Sequence, residues 1–126
     1  MNANDSIKRY SRQIILKEVG GQGQKLLMKS KVLIIGLGGL GSPVLQYLAA
    51  SGVGTIGLAD NDKVDLSNLH RQIIFSLKDI GSYKVSKAKK FIASVNSDIN
   101  VIPYKKKVDL LNVDKIISEY DIIVDC

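Results

Sequence analysis

KVLIIGLGGLG, from Lys31 to Gly41, decides the fold. Val32 to Ile35 is a short, β-branched apolar run without alternation, which suits a central parallel strand buried on both faces. Gly36, Gly38 and Gly41 then fit G-x-G-x-x-G, with an extra glycine at Gly39. Leu40, Val44, Leu45, Leu48 and Ala49 recur at helical spacing, so a helix begins in the glycine run. Glycine permits a tight strand-to-helix turn and leaves no Cβ between backbone N–H groups and a phosphate. The helix N-terminus adds partial positive charge, and Ser42-Pro43 fits its first turn. A second strand, Thr55 to Ala59, ends at Asp60, where a doubly wound fold places the carboxylate that accepts hydrogen bonds from a ribose. The glycines alone could serve close helix–strand packing. Strand, glycines, helix, strand and acid in this order point to a nucleotide site.

Outward from that unit, residues 5–19 read as a helix with Asp5 or Ser6 as cap and Ile7, Tyr10 and Ile14 on one face. Arg9 and Arg12 share a different face. Gly20-Gly21 breaks this helix, and Gln22 to Ser30 forms a second. Residues 61–82 form a long irregular connection, of a kind compact domains seldom carry without a use. Tyr83 to Val95 reads as a helix, Asn100 to Lys105 as a strand near a sheet edge because of Pro103, Val113 to Glu119 as a helix capped by Asn112, and Asp121 to Asp125 as a fourth strand. Helical crossovers imply parallel pairing. The expected fold is therefore α/β: a Rossmann-like, doubly wound, mainly parallel sheet with two N-terminal helices. Residues 1–30 form the helical segment and residues 31–126 the nucleotide-binding part. An α/β sheet needs both faces covered, so the reading is a domain truncated after its fourth strand, with apolar surface around Ile122 and Val124 exposed.

Composition narrows the function classes. At 126 residues the chain is one domain at most. No apolar run reaches membrane-spanning length and no signal-peptide pattern opens the sequence, so a cytoplasmic setting without membrane contact is expected. Cys126 is the single cysteine, which excludes an internal disulfide or a multi-cysteine metal site in this sequence. The net charge of +6 fits either an anionic partner or solvated lysines. Lys84, Lys87, Lys89 and Lys90 avoid the apolar stripe of their segment, which favours the solvated reading for most of them.

The polar residues separate this site from a generic dinucleotide fold. Ser67-Asn68-Leu69-His70-Arg71-Gln72 lies in the loop after Asp60, on the ligand side of the sheet. Lys84 falls in the first turn of the next helix, where a cation opposes the helix dipole at a cost of a few tenths of a kcal/mol unless an anion sits nearby. A triphosphate needs several cations around it, whereas a dinucleotide pyrophosphate is satisfied mostly by backbone N–H groups. Asn68, Arg71, Lys84 and Arg12 tilt the reading from NAD toward ATP. On the residues alone, Asn68 and Arg71 suit loop-ordering hydrogen bonds equally well, Arg12 could be an ordinary surface arginine, and Cys126 either a catalytic or an inert thiol.

RYSRQI, GLGGLGS, ADND, LSNLHRQI, IGSYKV and the final DC together resemble the ThiF/MoeB/HesA family, E1-like enzymes that adenylate ubiquitin-like sulfur-carrier proteins. The resemblance runs from about Arg9 to Cys126. It implies that Gly39 contacts ATP through its backbone beside Gly36, Gly38 and Gly41, and that Asp60 holds the ribose. It further implies that Asp62, Ser67 and Gln72 line the site, and that Asn68, Arg71 and Lys84 bind phosphate, Arg71 and Lys84 catalytically. Arg12 would reach the ATP of a neighbouring subunit, making a homodimer. The nucleophile would be the C-terminal glycine carboxylate of a sulfur carrier in thiamine or molybdopterin synthesis, with no nucleic acid involved. The family's Mg2+-binding aspartate would lie beyond Cys126, leaving no metal ligand within the chain, and structural Zn2+ would belong only to a longer form. On that basis the 126 residues alone would bind ATP weakly and would not adenylate a carrier. Other readings are a tRNA threonylcarbamoyladenosine dehydratase, an NAD-dependent oxidoreductase, and a non-catalytic dimerising remnant.

Overall fold

The computed structural model describes residues 3–126. Four parallel strands, β1 (Lys31–Ile35), β2 (Thr55–Ala59), β3 (Asn100–Tyr104) and β4 (Ile122–Asp125), lie in the order β3-β2-β1-β4. Among the described residues five α-helices accompany them: α1 (Ala3–Ile14), α2 (Gly20–Lys29), α3 (Gly41–Ser51), α4 (Lys84–Val95) and α5 (Val113–Ile117). β1 pairs with β2 from Lys31 opposite Thr55 to Ile35 opposite Ala59, and with β4 from Val32 opposite Ile122 to Ile35 opposite Asp125. The chain steps outward from β1 to β3 and then crosses back to β4 on the other side of β1. That reversal opens a crevice at the carboxyl ends of the central strands, where ligands bind in folds of this kind.

The unbroken apolar run of β1 follows from burial on both faces. Val32 and Ile34 join Ile56 and Leu58 against Leu45 and Ala49 of α3 and Val85, Ala88 and Ile92 of α4. Leu33 and Ala59 face the opposite way, against Ile116 of α5 with Ile35, Tyr104 and Tyr120 around them. Gly57 is a glycine because the Tyr120 ring lies directly on it, where a Cβ would collide. Tyr120 and Tyr104 meet through their hydroxyls at 3.0 Å.

The two N-terminal helices are held by polar contacts. Asn96 Nδ2 donates to the buried Tyr10 hydroxyl at 2.8 Å and to the Ala49 carbonyl at 3.1 Å. Gln13 and Gln24 both donate to the Ser51 carbonyl, at 2.7 and 3.1 Å. Gly52 ends α3 with φ +93°, and its missing Cβ makes room for Tyr10 and Gln24. Arg9 Nη1 donates to the Val95 carbonyl at 2.9 Å, a cation answering the negative end of α4.

Several expectations are corrected. The first helix stops at Ile14 rather than residue 19; Ile15 and Leu16 are exposed, so continuing it would bury nothing. α2 starts at Gly20, two residues before Gln22. α5 ends at Ile117, and Asn112 stands at its N-cap but makes no side-chain cap: its Oδ1 accepts from Asp109 N and its Nδ2 donates to Lys107 O, ordering the preceding turn. The irregular connection is anchored by buried Val64, Ile74 and Phe75. Lys84 is 5 % exposed and not on the solvated face of α4. Ile122 and Ile123 are exposed, while Val124 packs against the core. Among the described residues no helix is long and apolar enough to cross a membrane.

Candidate functional site

The glycine run forms the loop between β1 and α3, and its glycines serve two different purposes. Gly36 has φ +91° and donates its N–H to Ala59 O at 2.8 Å, with the Cys126 carbonyl packed against its α-carbon. A Cβ at Gly41 would collide with the Gly36 carbonyl. Those two are required by the backbone itself. Gly38 and Gly39 have ordinary φ; Gly39 makes room for a side chain of the later loop, and Gly38 has another at ordinary contact distance. A Cβ on Gly39 would lie 3.3 Å from Arg71 Cδ, and one on Gly38 would lie 3.9 Å from Gln72 Nε2. Ser42 N donates to Gly38 O at 3.0 Å, and α3 then starts without a side-chain cap. Its first N–H groups and partial positive charge face the crevice.

Asp60, at the end of β2, is tied into this loop. Its Oδ2 accepts from Leu37 N at 2.8 Å and its Oδ1 from Asp62 N at 2.7 Å. Asp62 in turn accepts from Lys84 N at 3.0 Å, and its exposed carboxylate lies 3.5 Å from Lys84 Nζ. A continuous polar chain thus runs from the glycine loop through Asp60 and Asp62 to a buried ammonium at the start of α4. Lys106, Lys107 and Val108 complete a cleft of about 230 Å³ with Ile35, Gly36 and Asp60.

Ser67 and Asn68 are held within their own turn. Ser67 N and Oγ donate to Asp65 Oδ1 at 2.9 and 2.6 Å, and Asn68 Oδ1 accepts from Asp65 N at 2.9 Å. The Ser67 hydroxyl, followed by its backbone N–H, holds the Asp65 carboxyl below the usual carboxylate range. The turn delivers the exposed Arg71, whose Nη1 donates to Ser67 O at 3.0 Å while its stem lies against Gly39. The loop-ordering role of Ser67 and Asn68 is therefore visible, and Asn68 keeps its side-chain NH₂ for another acceptor. Gln72 is buried beside Gly38.

Arg12 stands apart. It is exposed on α1, and no hydrogen bond joins it to Asp60, Arg71 or Lys84. Partial burial of the Cys126 thiol, and then the Asp125 carboxylate, push its pKa up, which opposes nucleophilic chemistry at neutral pH. Among the described residues no three His, Cys, Asp or Glu side chains cluster to hold a metal ion. Sequence reasoning passed over the Asp65 turn and the cleft-lining Lys106 and Lys107. Asp65-x-x-Asn68 carries the capping-box spacing that signals the turn.

The ThiF family model matches residues 10–126. The chain belongs to the ThiF family. Among similar proteins, this ThiF-family chain is 48% identical over 123 residues to Adenylyltransferase and sulfurtransferase MOCS3 of Xenopus laevis, covering 98% of the chain and 27% of that protein. It is 48% identical over 118 residues to a probable molybdopterin-synthase adenylyltransferase of Gracilaria tenuistipitata var. liui, covering 94% of the chain and 33% of that protein. The chain thus spans about a quarter to a third of the length of these relatives. Among solved structures, Escherichia coli tRNA N6-threonylcarbamoyladenosine dehydratase, TcdA, in complex with AMP superposes with TM-score 0.91 at 25% identity, over 99% of this chain and 50% of that one. Escherichia coli MccB with ATP superposes with TM-score 0.76 at 36% identity, over 85% of this chain and 33% of that one. The Rossmann-like, parallel architecture read from the sequence is the observed one.

Proposed function

We propose that this chain is the ATP-binding part of an adenylyltransferase that activates the C-terminal glycine of a ubiquitin-like sulfur-carrier protein. The observation that carries the reading is the pairing of two cations with one glycine loop. Arg71 lies against Gly39, and Lys84 reaches the loop through Asp62 and Asp60. A buried ammonium whose acidic neighbour is largely solvated is poorly compensated, and a triphosphate supplies the missing negative charge. The pyrophosphate of a dinucleotide carries less charge and is satisfied mostly by backbone N–H groups, so it matches the two cations less well.

In this reading Asp60 accepts from the ribose hydroxyls, and the glycine loop and the start of α3 receive the phosphates. Asn68, with its free NH₂, donates to a phosphate oxygen. A carboxylate oxygen of the carrier's last glycine attacks the α-phosphorus, an O–P bond forms, the bond to the bridging oxygen breaks, and pyrophosphate leaves with that electron pair. Arg71 and Lys84 stabilise the charge that shifts onto phosphate oxygens in the transition state. The chemistry requires no nucleophile from this chain: catalysis is positioning and electrostatics. Arg12, remote from the site of its own chain, reaches the phosphates of a partner's ATP in a homodimer. The relatives' names favour the molybdopterin route over the thiamine one, and the setting is the cytoplasm.

Titration calorimetry with ATP and with NAD tests the reading. Saturable ATP binding, weakened by Asp60→Ala, is expected; preferential binding of NAD contradicts it. The likeness to a tRNA-modifying dehydratase supports a second reading on the same ATP site, and salt-dependent tRNA binding would favour that one.

A further inference from the structure

Arg71 and Gln72 are consecutive, and they meet consecutive glycines of the loop, Gly39 and Gly38. The two side chains differ in everything else. Arg71 is exposed and hydrogen-bonded to Ser67 O, whereas Gln72 is 2 % exposed and its Oε1 has no hydrogen-bond partner among the described residues. A buried acceptor left unmatched works against the fold, and a leucine or methionine would fill the same volume without that cost. Its surroundings would accept one: Ile74 and Phe75, two and three residues on, are core. The backbone of Gln72 is meanwhile fixed, its N–H donating to Asn68 O at 2.9 Å and its carbonyl accepting from Phe75 N at 3.1 Å. That fixed backbone carries the side-chain amide to the neighbourhood of Gly38.

We propose that Gln72 is a positioning residue of the nucleotide site: its buried amide, seated on Gly38, sets the glycine loop for phosphate and aligns its chain neighbour Arg71 over Gly39. It does not touch the ligand. This deepens the ATP reading above and rests on it. A second buried polar atom close by in the chain is also unpartnered among the described residues: the Oγ of Ser42, whose backbone N–H donates to Gly38 O. Two unmatched polar groups beside the glycine run are what a loop with a second, ligand-bound arrangement of its peptide groups would show.

The test separates bracing from packing. ATP titrations and thermal unfolding are measured on a protein of the relatives' length that carries these 126 residues, as the wild type, Gln72→Met and Gln72→Glu, with Asp60→Ala as the control for the site itself. Gln72→Met is expected to leave Tm unchanged or raise it by up to about 4 °C, because the unmatched acceptor is gone, yet to weaken ATP binding at least fivefold. Gln72→Glu is expected to weaken ATP binding further, because a carboxylate beneath the loop repels phosphate. Its deficit should shrink as pH falls toward the carboxyl's pKa, which a packing role would not produce. A Gln72→Met chain that unfolds or loses Tm, with ATP affinity intact where it remains folded, overturns the proposal and makes Gln72 a packing residue. If the wild type and Asp60→Ala both fail to bind ATP, the ATP reading falls and takes this one with it. If only Gln72 proves indifferent, the brace alone is wrong.

Discussion

Asp60→Ala should damage both stability and nucleotide binding, by amounts that can be worked out separately. Its carboxylate accepts from Leu37 N at 2.8 Å and Asp62 N at 2.7 Å, and hydrogen bonds to a charged group contribute about 1.5–3 kcal/mol each. Asp60 is only half-buried, so water can reach the freed N–H groups in part and the low end applies. The expected loss is about 2–3 kcal/mol in total, a Tm fall of about 8–12 °C for a chain of this size. Asp60→Asn should lose roughly half as much, because one amide oxygen still accepts while the NH₂ opposes the other donor. ATP affinity should fall separately, on the order of 10- to 100-fold, the scale of losing ribose hydrogen bonds to an anion. Denaturant unfolding measures the first quantity and calorimetry well below Tm the second. An Asp60→Ala chain within about 0.5 kcal/mol of wild type, binding ATP undiminished, would refute both roles.

Arg71→Ala and Lys84→Met should lower turnover more than ground-state ATP binding, because charge shifts onto phosphate oxygens only in the transition state; equal turnover at saturating ATP would remove them from the chemistry. Lys84→Met should change stability by less than about 1 kcal/mol, since the Asp62 it loses is 66% exposed and screened by water. Gly41→Ala should destabilise by about 3 kcal/mol or more, its Cβ meeting backbone, whereas Gly39→Ala should fold and instead displace Arg71, visible as weaker ATP binding with Tm preserved. For Asp79, burial pushes the carboxyl's pKa up, but bonds from Ser76 and Lys87 outweigh it and leave the pKa below the ordinary value. A depressed carboxylate stabilises the fold above its unfolded pKa and loses that contribution as pH falls through about 4 and below. Asp79→Asn should therefore flatten the acid limb of the unfolding curve without altering neutral-pH ATP binding.

The strand–glycine–helix–strand frame of the candidate site was legible because each of its signals is local. A strand, a glycine turn and an acid at a strand end are set by residues adjacent in sequence, and β1, β2, Gly36 and Asp60 stand where spacing placed them. Tertiary partners were not legible. Nothing local says that Arg71 and Gln72 close on Gly39 and Gly38, or that Asn96 holds Tyr10 across 86 residues. That Lys84 is buried was not legible because helical periodicity reports only the apolar stripe of α4, which Lys84 avoids. Val64 and Phe75 anchor that loop singly, without a period to betray them. Element ends failed for a related reason: whether a helix continues past Ile14 depends on what its next turn would bury.

Exchange of labelled pyrophosphate into ATP tests the proposed reaction most directly, measured on a protein of the relatives' length that carries these 126 residues. A reversible attack on the α-phosphorus returns label to ATP only when a carrier with a free C-terminal glycine is present, and Lys84→Met should abolish the signal while ATP still binds. Exchange without carrier, or none with a carrier ending in glycine although ATP is bound, would contradict adenylation of the carrier.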